Sequence, residues 1–214
     1  MISFSKRVLI ASAFIFLSGI AIAQGQKIEE GFDYRVLPVP QPVETKGKVE
    51  VIEFFWYGCP HCYDFEPELS AWVKRQPKDV AFRRVPVAFR DDLLPHSQLF
   101  YALEAMGKGD ALNDKVMYAM HKENKRLLTE PEIADWVASQ GIDRNTFLAT
   151  YRSFAVVSKA RAAKQLAEAY RIDGVPTIVM QGKYVTSPSI AGTKAKAIAV
   201  MDYLEEKIRK DKYK

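Results

Sequence analysis

The chain has 214 residues, 48% of them hydrophobic, and 31 basic against 26 acidic side chains give it a formal charge of +5. That length supports a substantial core and one domain with room for an insertion. The positive excess is small and dispersed, which argues against a nucleic-acid partner and makes the high pI mostly a matter of solubility.

The first stretch carries Lys6 and Arg7, then an apolar run from Val8 to Ile22, then Ala21-Ile22-Ala23. A positive start, a short apolar core and an Ala-x-Ala end form the pattern of a secretory signal peptide, cleaved after Ala23. The run is about fifteen residues, short of the roughly twenty a membrane-spanning helix needs. No cysteine follows it, so a lipid anchor is not expected. Cleavage would leave 191 residues and, with Lys6 and Arg7 gone, a charge of +3.

Residues 24–31 read as a loose terminus and Tyr34–Leu37 as a short edge strand. Pro38, Pro40 and Pro42 then forbid regular structure. Lys46-Gly47-Lys48 turns the chain into Val49–Phe55, whose β-branched and aromatic content reads as a buried central strand. Cys59-Pro60-His61-Cys62 follows. Beyond it, Cys62, Phe65, Leu69, Trp72 and Val73 recur at helical spacing, with Pro60 suited to the first helical position and Pro67 expected to kink the helix. Val80–Pro86 reads as the next strand, which makes a βαβ unit with parallel pairing.

From about Leu94 to Tyr170 the pattern is helical throughout. Leu99, Leu103 and Met106 share a face that Gly107 ends, and Leu112, Val116 and Ala119 make another. Thr129-Glu130-Pro131-Glu132 is a capping box ahead of Ile133, Trp136 and Val137, and Asp143 caps a short helix with Phe147 and Tyr151. Val156, Ala160, Ala163, Ala167 and Tyr170 form one long stripe. Val175–Met180 is then a strand, Gln181-Gly182 turns it back into Lys183-Tyr184-Val185, and a last helix carries Ala197, Met201, Leu204 and Ile208. The layout is βαβ, a helical block, then ββα: residues 24–88 and 156–214 around an insertion at 89–155.

Cys59 and Cys62 are the only cysteines. At i and i+3 on a first helical turn they can bridge without backbone movement. A four-residue loop gains little from a crosslink, so a structural staple explains the pair poorly, even in an oxidising compartment. A zinc site would want four ligands, and besides this pair there are only His61, His96 and His121. Redox chemistry remains. The helix dipole and free N–H groups at the helix start favour a thiolate on Cys59, expected at the exposed tip as the attacking sulfur, with Cys62 a turn further in as the resolving one. His61 adds positive charge or a hydrogen bond beside Cys59. Stabilising the reduced form makes the disulfide a stronger oxidant. His96 and His121 read as ordinary surface or cap residues. Glu53 reads either as a solvent-facing strand residue or as a buried, used one. Pro176, on its own, reads as a trans proline opening a strand.

A strand ending at Cys-x-x-Cys and a later strand opened by Gly174-Val175-Pro176-Thr177 resemble the thioredoxin superfamily. Pro60-His61 between the cysteines, the Glu53-Phe54-Phe55 lead-in and the helical block between Val85 and Val175 resemble its DsbA family in particular. The resemblance implies a thioredoxin-like α/β fold, a central mixed sheet flanked by helices, with an inserted all-helical domain. It implies a cis bond between Val175 and Pro176, whose loop faces the cysteines and offers the Val175 backbone to an extended substrate as an added strand. It implies that Glu53 lies buried beneath the cysteines as a proton relay for Cys62, with Lys78, Arg83 and Arg84 as possible basic neighbours. Trp56 and Tyr57 are expected on the substrate-facing rim.

By the same resemblance the function is thiol:disulfide exchange in the periplasm. The Cys59–Cys62 disulfide is donated to newly exported, unfolded, cysteine-containing proteins through a mixed disulfide. No cofactor or metal is needed, and a DsbB-type quinone-linked inner-membrane oxidase reoxidises the pair. The protein is expected to be monomeric. Two other readings stand beside this one: a disulfide isomerase or reductase, and a peptide-binding chaperone module with incidental cysteines.

Overall fold

The computed structural model describes residues 27–212, so the signal-peptide pattern and the cleavage site after Ala23 lie outside the described residues. The sheet contains β1 (Arg35–Val36), β2 (Val49–Phe55), β3 (Val80–Pro86), β4 (Thr177–Met180) and β5 (Tyr184–Thr186) in the order β1-β5-β4-β2-β3. β2 pairs parallel with β3 and antiparallel with β4, and β5 pairs antiparallel with β4 and β1. The parallel pair is joined by α1 (Pro60–Lys74), as a parallel connection requires. α1 runs on through Pro67 to Lys74 without ending there.

All seven residues of β2 are buried because helices cover both faces of the sheet. Successive side chains alternate between those faces. Val49 and Val51 pack with Phe65, Leu69 and Trp72 of α1 and with Met201 and Leu204 of α8 (Lys194–Lys212). Ile52 and Phe54 pack on the other face with Ala163, Ala167 and Tyr170. Glu53 has the parity of Val49 and Val51, so alternation turns it under α1 and not toward water. A short helix, α7 (Pro188–Ala191), precedes α8; four residues are too few to show a periodicity in sequence.

Between β3 and β4 the chain forms a 3₁₀ turn (Asp91–Leu93) and α2 (Leu94–Ala105), α3 (Gly109–His121), α4 (Glu130–Ser139), α5 (Arg144–Tyr151) and α6 (Phe154–Ala169). Their boundaries follow local chemistry. Gly107, at φ +65°, ends α2. Thr129 and Glu132 close a reciprocal capping box on α4, and Asp143 caps α5 by accepting from Thr146 N–H. Val156 of α6 belongs to the core of the helical block, while Ala163 and Ala167 lie against the sheet. One helix therefore ties the two parts together, and its small side chains let the backbones approach.

The β4–β5 turn is tied to the proline-rich segment. Gln41 N–H donates to Gly182 O at 2.8 Å, Gly182 has φ +60°, and a Cβ there would lie 2.2 Å from Gln41 O. Gly182→Ala is therefore expected to lower the unfolding free energy by about 1–3 kcal/mol, measured by urea denaturation.

Candidate active site

Cys59 is the N-cap of α1, with φ −86° and ψ 115°, and Pro60 opens the helix. No side-chain hydrogen bond caps this end, so first-turn N–H groups are left without an intrahelical partner near the sulfur. Both cysteines are free thiols in the structure. The Cys59 thiol is brought down from 9.0 to about 6, first by the hydrogen bond from Cys62 and then by the N–H groups of Cys62 and His61 and the His61 charge, against the cost of burial. Cys62 is pushed far up, chiefly by burial and then by its hydrogen bond to Cys59. The two sulfurs thus carry opposite tendencies: one is held as the thiolate and the other as the thiol. Cys59 does not stand at an exposed tip, however. It is only 7% exposed, against 0% for Cys62, because the helical block packs over both.

The peptide bond between Val175 and Pro176 is cis, and Val175 O lies 3.3 Å from Cys59 Sγ. His61, Val175, Pro176 and Thr177 line a groove of about 660 Å³ that continues past Arg35 and Lys194. A backbone carbonyl at the wall of an open groove is the kind of group that can pair with an extended chain.

Beneath the cysteines, Glu53 is fully buried and Arg84 Nε donates to its Oε2 at 2.9 Å. Register explains the choice of base: Glu53 and Arg84 are partners across the parallel β2–β3 ladder. Arg83 lies nearer Glu44 and Glu50, and no ion pair joins Lys78 to Glu53. Arg84 Nη2 also donates to Glu66 Oε1 at 2.6 Å, so one cation serves two buried carboxyls. That imbalance has consequences. Burial lifts Glu53 to about 7 despite Arg84, with the Glu66 charge adding to the rise. Burial raises Glu66 as well. Oε1 of Glu53 and Oε2 of Glu66 have no hydrogen-bond partner. A carboxyl poised near neutrality and electrostatically felt by Cys62 can hold or release a proton as the cysteines change state. Glu66 is not among the residues the sequence motifs single out, although it lies four residues after Cys62 and so on the same helix face.

Three aromatic and histidine assignments change. Tyr57 is not on the rim: it is 1% exposed and packs with Phe55 and Phe100 in the core of the helical block. His96 is buried, accepting from Trp56 Nε1 at Nδ1 (2.8 Å). His121 meets Tyr57 O at 2.8 Å and stacks on Tyr63. Neither histidine is a plain surface or cap residue. Trp56 is half-buried and lies across Gly58, where a Cβ would come within 2.4 Å of its ring.

The DSBA-like thioredoxin domain model matches residues 88–198, over half of the chain. The chain belongs to the DsbA-like thioredoxin family. The thiol:disulfide interchange protein DsbA of Burkholderia cepacia is 46% identical over 196 residues, covering 91% of this chain and 92% of its own. DsbA of Pseudomonas aeruginosa is 44% identical over 201 residues, covering 94% of each. The crystal structure of Pseudomonas aeruginosa DsbA superposes with a TM-score of 0.83 at 44% identity, over 87% of this chain and 97% of that one. The Neisseria meningitidis oxidoreductase NmDsbA1 gives 0.78 at 31% identity, over 87% and 96%. The family model starts beyond the cysteines, but the whole-chain relatives span them. The protein is a thiol:disulfide oxidoreductase with a thioredoxin-like fold. Among the described residues no group of three or more His, Cys, Asp or Glu is placed to hold a metal ion, and no helix is long and apolar enough to cross a membrane.

Two pH effects follow, of opposite sign. Cys59 is depressed in the folded protein, so the reduced form gains stability as pH rises from about 6 to 9 and loses it as pH falls through 6. Oxidised protein has no such group, so comparing the denaturation of the two forms across that window isolates the effect. Glu53 is raised, so between about 4.5 and 7 the folded chain holds a proton that the unfolded chain has lost, and stability falls as pH rises. Glu53→Gln is expected to remove that fall relative to wild type, with both proteins reduced.

Proposed function

We propose that this protein is a periplasmic dithiol oxidase, which donates a Cys59–Cys62 disulfide to newly exported proteins. The observation that carries the direction of the reaction is the opposed pair of thiol tendencies at the start of α1. A Cys59 thiolate that hydrogen bonds and the helix start already stabilise is a good leaving group, and its stability favours the dithiol over the bridge. Supporting readings are the signal-peptide pattern at residues 1–23 and the Val175–Pro176 wall of the groove.

A substrate thiolate attacks Cys59 Sγ. The Cys59–Cys62 bond breaks, a substrate–Cys59 bond forms, and Cys62 leaves with the electron pair and takes up a proton. Glu53, near neutrality in its buried pocket, is the proton reservoir for that step. A second substrate thiolate then attacks the substrate sulfur of the mixed disulfide, and Cys59 leaves as the stabilised thiolate. The substrate has lost two electrons and the cysteine pair has gained them. Val175 backbone pairs with the substrate segment as an added strand, and His61 flanks the reacting sulfur. The disulfide itself is the oxidant, so no cofactor takes part. A quinone-linked inner-membrane oxidase of the DsbB type returns the pair to the disulfide. The unit works as a monomer, with residues 89–155 inserted into the thioredoxin-like part formed by 24–88 and 156–214.

Equilibration with glutathione tests the direction. The expected potential lies above the about −270 mV of a thioredoxin; one below about −300 mV, in the range of structural crosslinks, would overturn the oxidase reading. With a reduced, unfolded substrate protein, Cys59→Ser is expected to drop oxidation to background. Cys62→Ser, mixed with an oxidised substrate, is expected to accumulate the mixed disulfide on Cys59, visible as a covalent adduct by mass. Activity retained by Cys59→Ser would point to a binding module instead.

A further inference from the structure

The helical block reaches the cysteine turn through two histidines, one on α2 and one at the end of α3. His96 and His121 meet consecutive residues, Trp56 and Tyr57, in the three-residue approach to Cys59. The two bonds have fixed polarity. Trp56 Nε1–H can only donate, so His96 Nδ1 must accept. The other nitrogen of His96 then carries the hydrogen and donates to Arg126 O at 2.9 Å. His96 is therefore held as one neutral tautomer between the two groups. Tyr57 O can only accept, so His121 Nε2 donates. The anchor of His96 is itself unusual: Leu127, next to Arg126, is buried with φ +48°, in the left-handed region that residues other than glycine rarely adopt.

The other side of each contact leads to Cys59. The Trp56 ring lies over Gly58 and leaves no room for a Cβ there. Trp56 O accepts from Cys59 N–H at 3.0 Å, which closes the turn. The ring of His121 stacks on Tyr63, the residue after Cys62, at 4.9 Å between centroids. Tyr63 N–H in turn donates to Cys59 O at 3.1 Å. The two histidines thus grip the turn from before Cys59 and from after Cys62.

We propose that His96 and His121 are positioning residues for the disulfide exchange, which hold the turn at residues 56–59 so that the Cys59 sulfur stays aligned with the N–H groups at the start of α1. Neither touches the reacting sulfurs. They act through Trp56, Gly58, Tyr57 and Tyr63, and through them the helical block takes part in setting how oxidising the disulfide is. This rests on Cys59 and Cys62 being the redox pair.

Substitutions that keep or remove one hydrogen-bonding atom test this. His96→Asn keeps an acceptor near the Nδ1 position, and His121→Gln keeps a donor near Nε2, whereas His96→Phe and His121→Phe keep only the ring. The two Phe variants are expected to shift the glutathione equilibrium toward the disulfide by about fivefold each and to raise the midpoint of the thiolate absorbance titration. The Asn and Gln variants are expected to stay within about twofold of wild type. Trp56→Phe removes the same bond as His96→Phe from the less buried side and is expected to give the same shift, which covers the case in which His96→Phe does not fold. A purely structural role would destabilise the oxidised and reduced proteins equally and leave both readouts in place. Phe variants and Trp56→Phe within about twofold of wild type, or Asn and Gln variants shifted as far as the Phe ones, would overturn the inference. Wild-type protein that itself equilibrates as a structural crosslink would overturn the oxidase reading instead.

Discussion

A sulfur held against the first turn of a helix is the constraint on which this molecule depends. An N-cap side chain ordinarily accepts from the N–H groups that the helix leaves open. Here the cap is Cys59, and the N–H groups of Cys62 and His61 act on its sulfur by lowering its pKa. The same groups that would stabilise a helix start stabilise a thiolate, so the ease with which a bridge at this position opens follows from where the helix begins. Pro60 at the first helical position sets that start without competing as a donor.

The architecture below and around the sulfur keeps this arrangement dry and fixed. A single-layer surface site would let water screen the charge and the dipole. Instead the helical block contributes a core that takes in Phe55, Tyr57, Cys59 and Cys62 themselves. The cysteines are part of a hydrophobic cluster, and Cys59 lies beside Val175, which lines the groove. Burial raises Cys62, Glu53 and Cys59 alike, and only at Cys59 do local hydrogen bonds overcome it. Neighbouring groups in one desolvated pocket thereby differ widely in proton affinity.

Arg84 shows how the sheet shares in this. It stands opposite Glu53 in the parallel ladder and also reaches Glu66 on the helix above. Two carboxyls with one cation cannot both ionise cheaply in an apolar setting. Burial is the larger cause of the rise at Glu53, and the charge of Glu66, which shares Arg84, adds to it.

Much of this was legible in the residues. β-Branched and aromatic content marked β2, and turn chemistry marked the β4–β5 hairpin and its reversal at Gly182. The capping box at Thr129 and the cap at Asp143 marked helix starts, because a cap is a local contact between near neighbours. The spacing of Cys59 and Cys62 at a strand–helix junction marked the chemistry. What the residues could not decide was which partners meet across the fold. By sequence Glu53 is ambiguous between water and core, and the helices on both faces of β2 decide it. Arg84 stood level with Lys78 and Arg83 until the β2–β3 register singled it out. Tyr57 and His96 looked peripheral because their neighbours come from elements some 40 residues away in the chain. Periodicity tells which face of an element is apolar, but it carries no record of what lies opposite. That is fixed only when sheet register and helix packing bring distant residues together, and here it is those long-range contacts that seat the Cys59 sulfur.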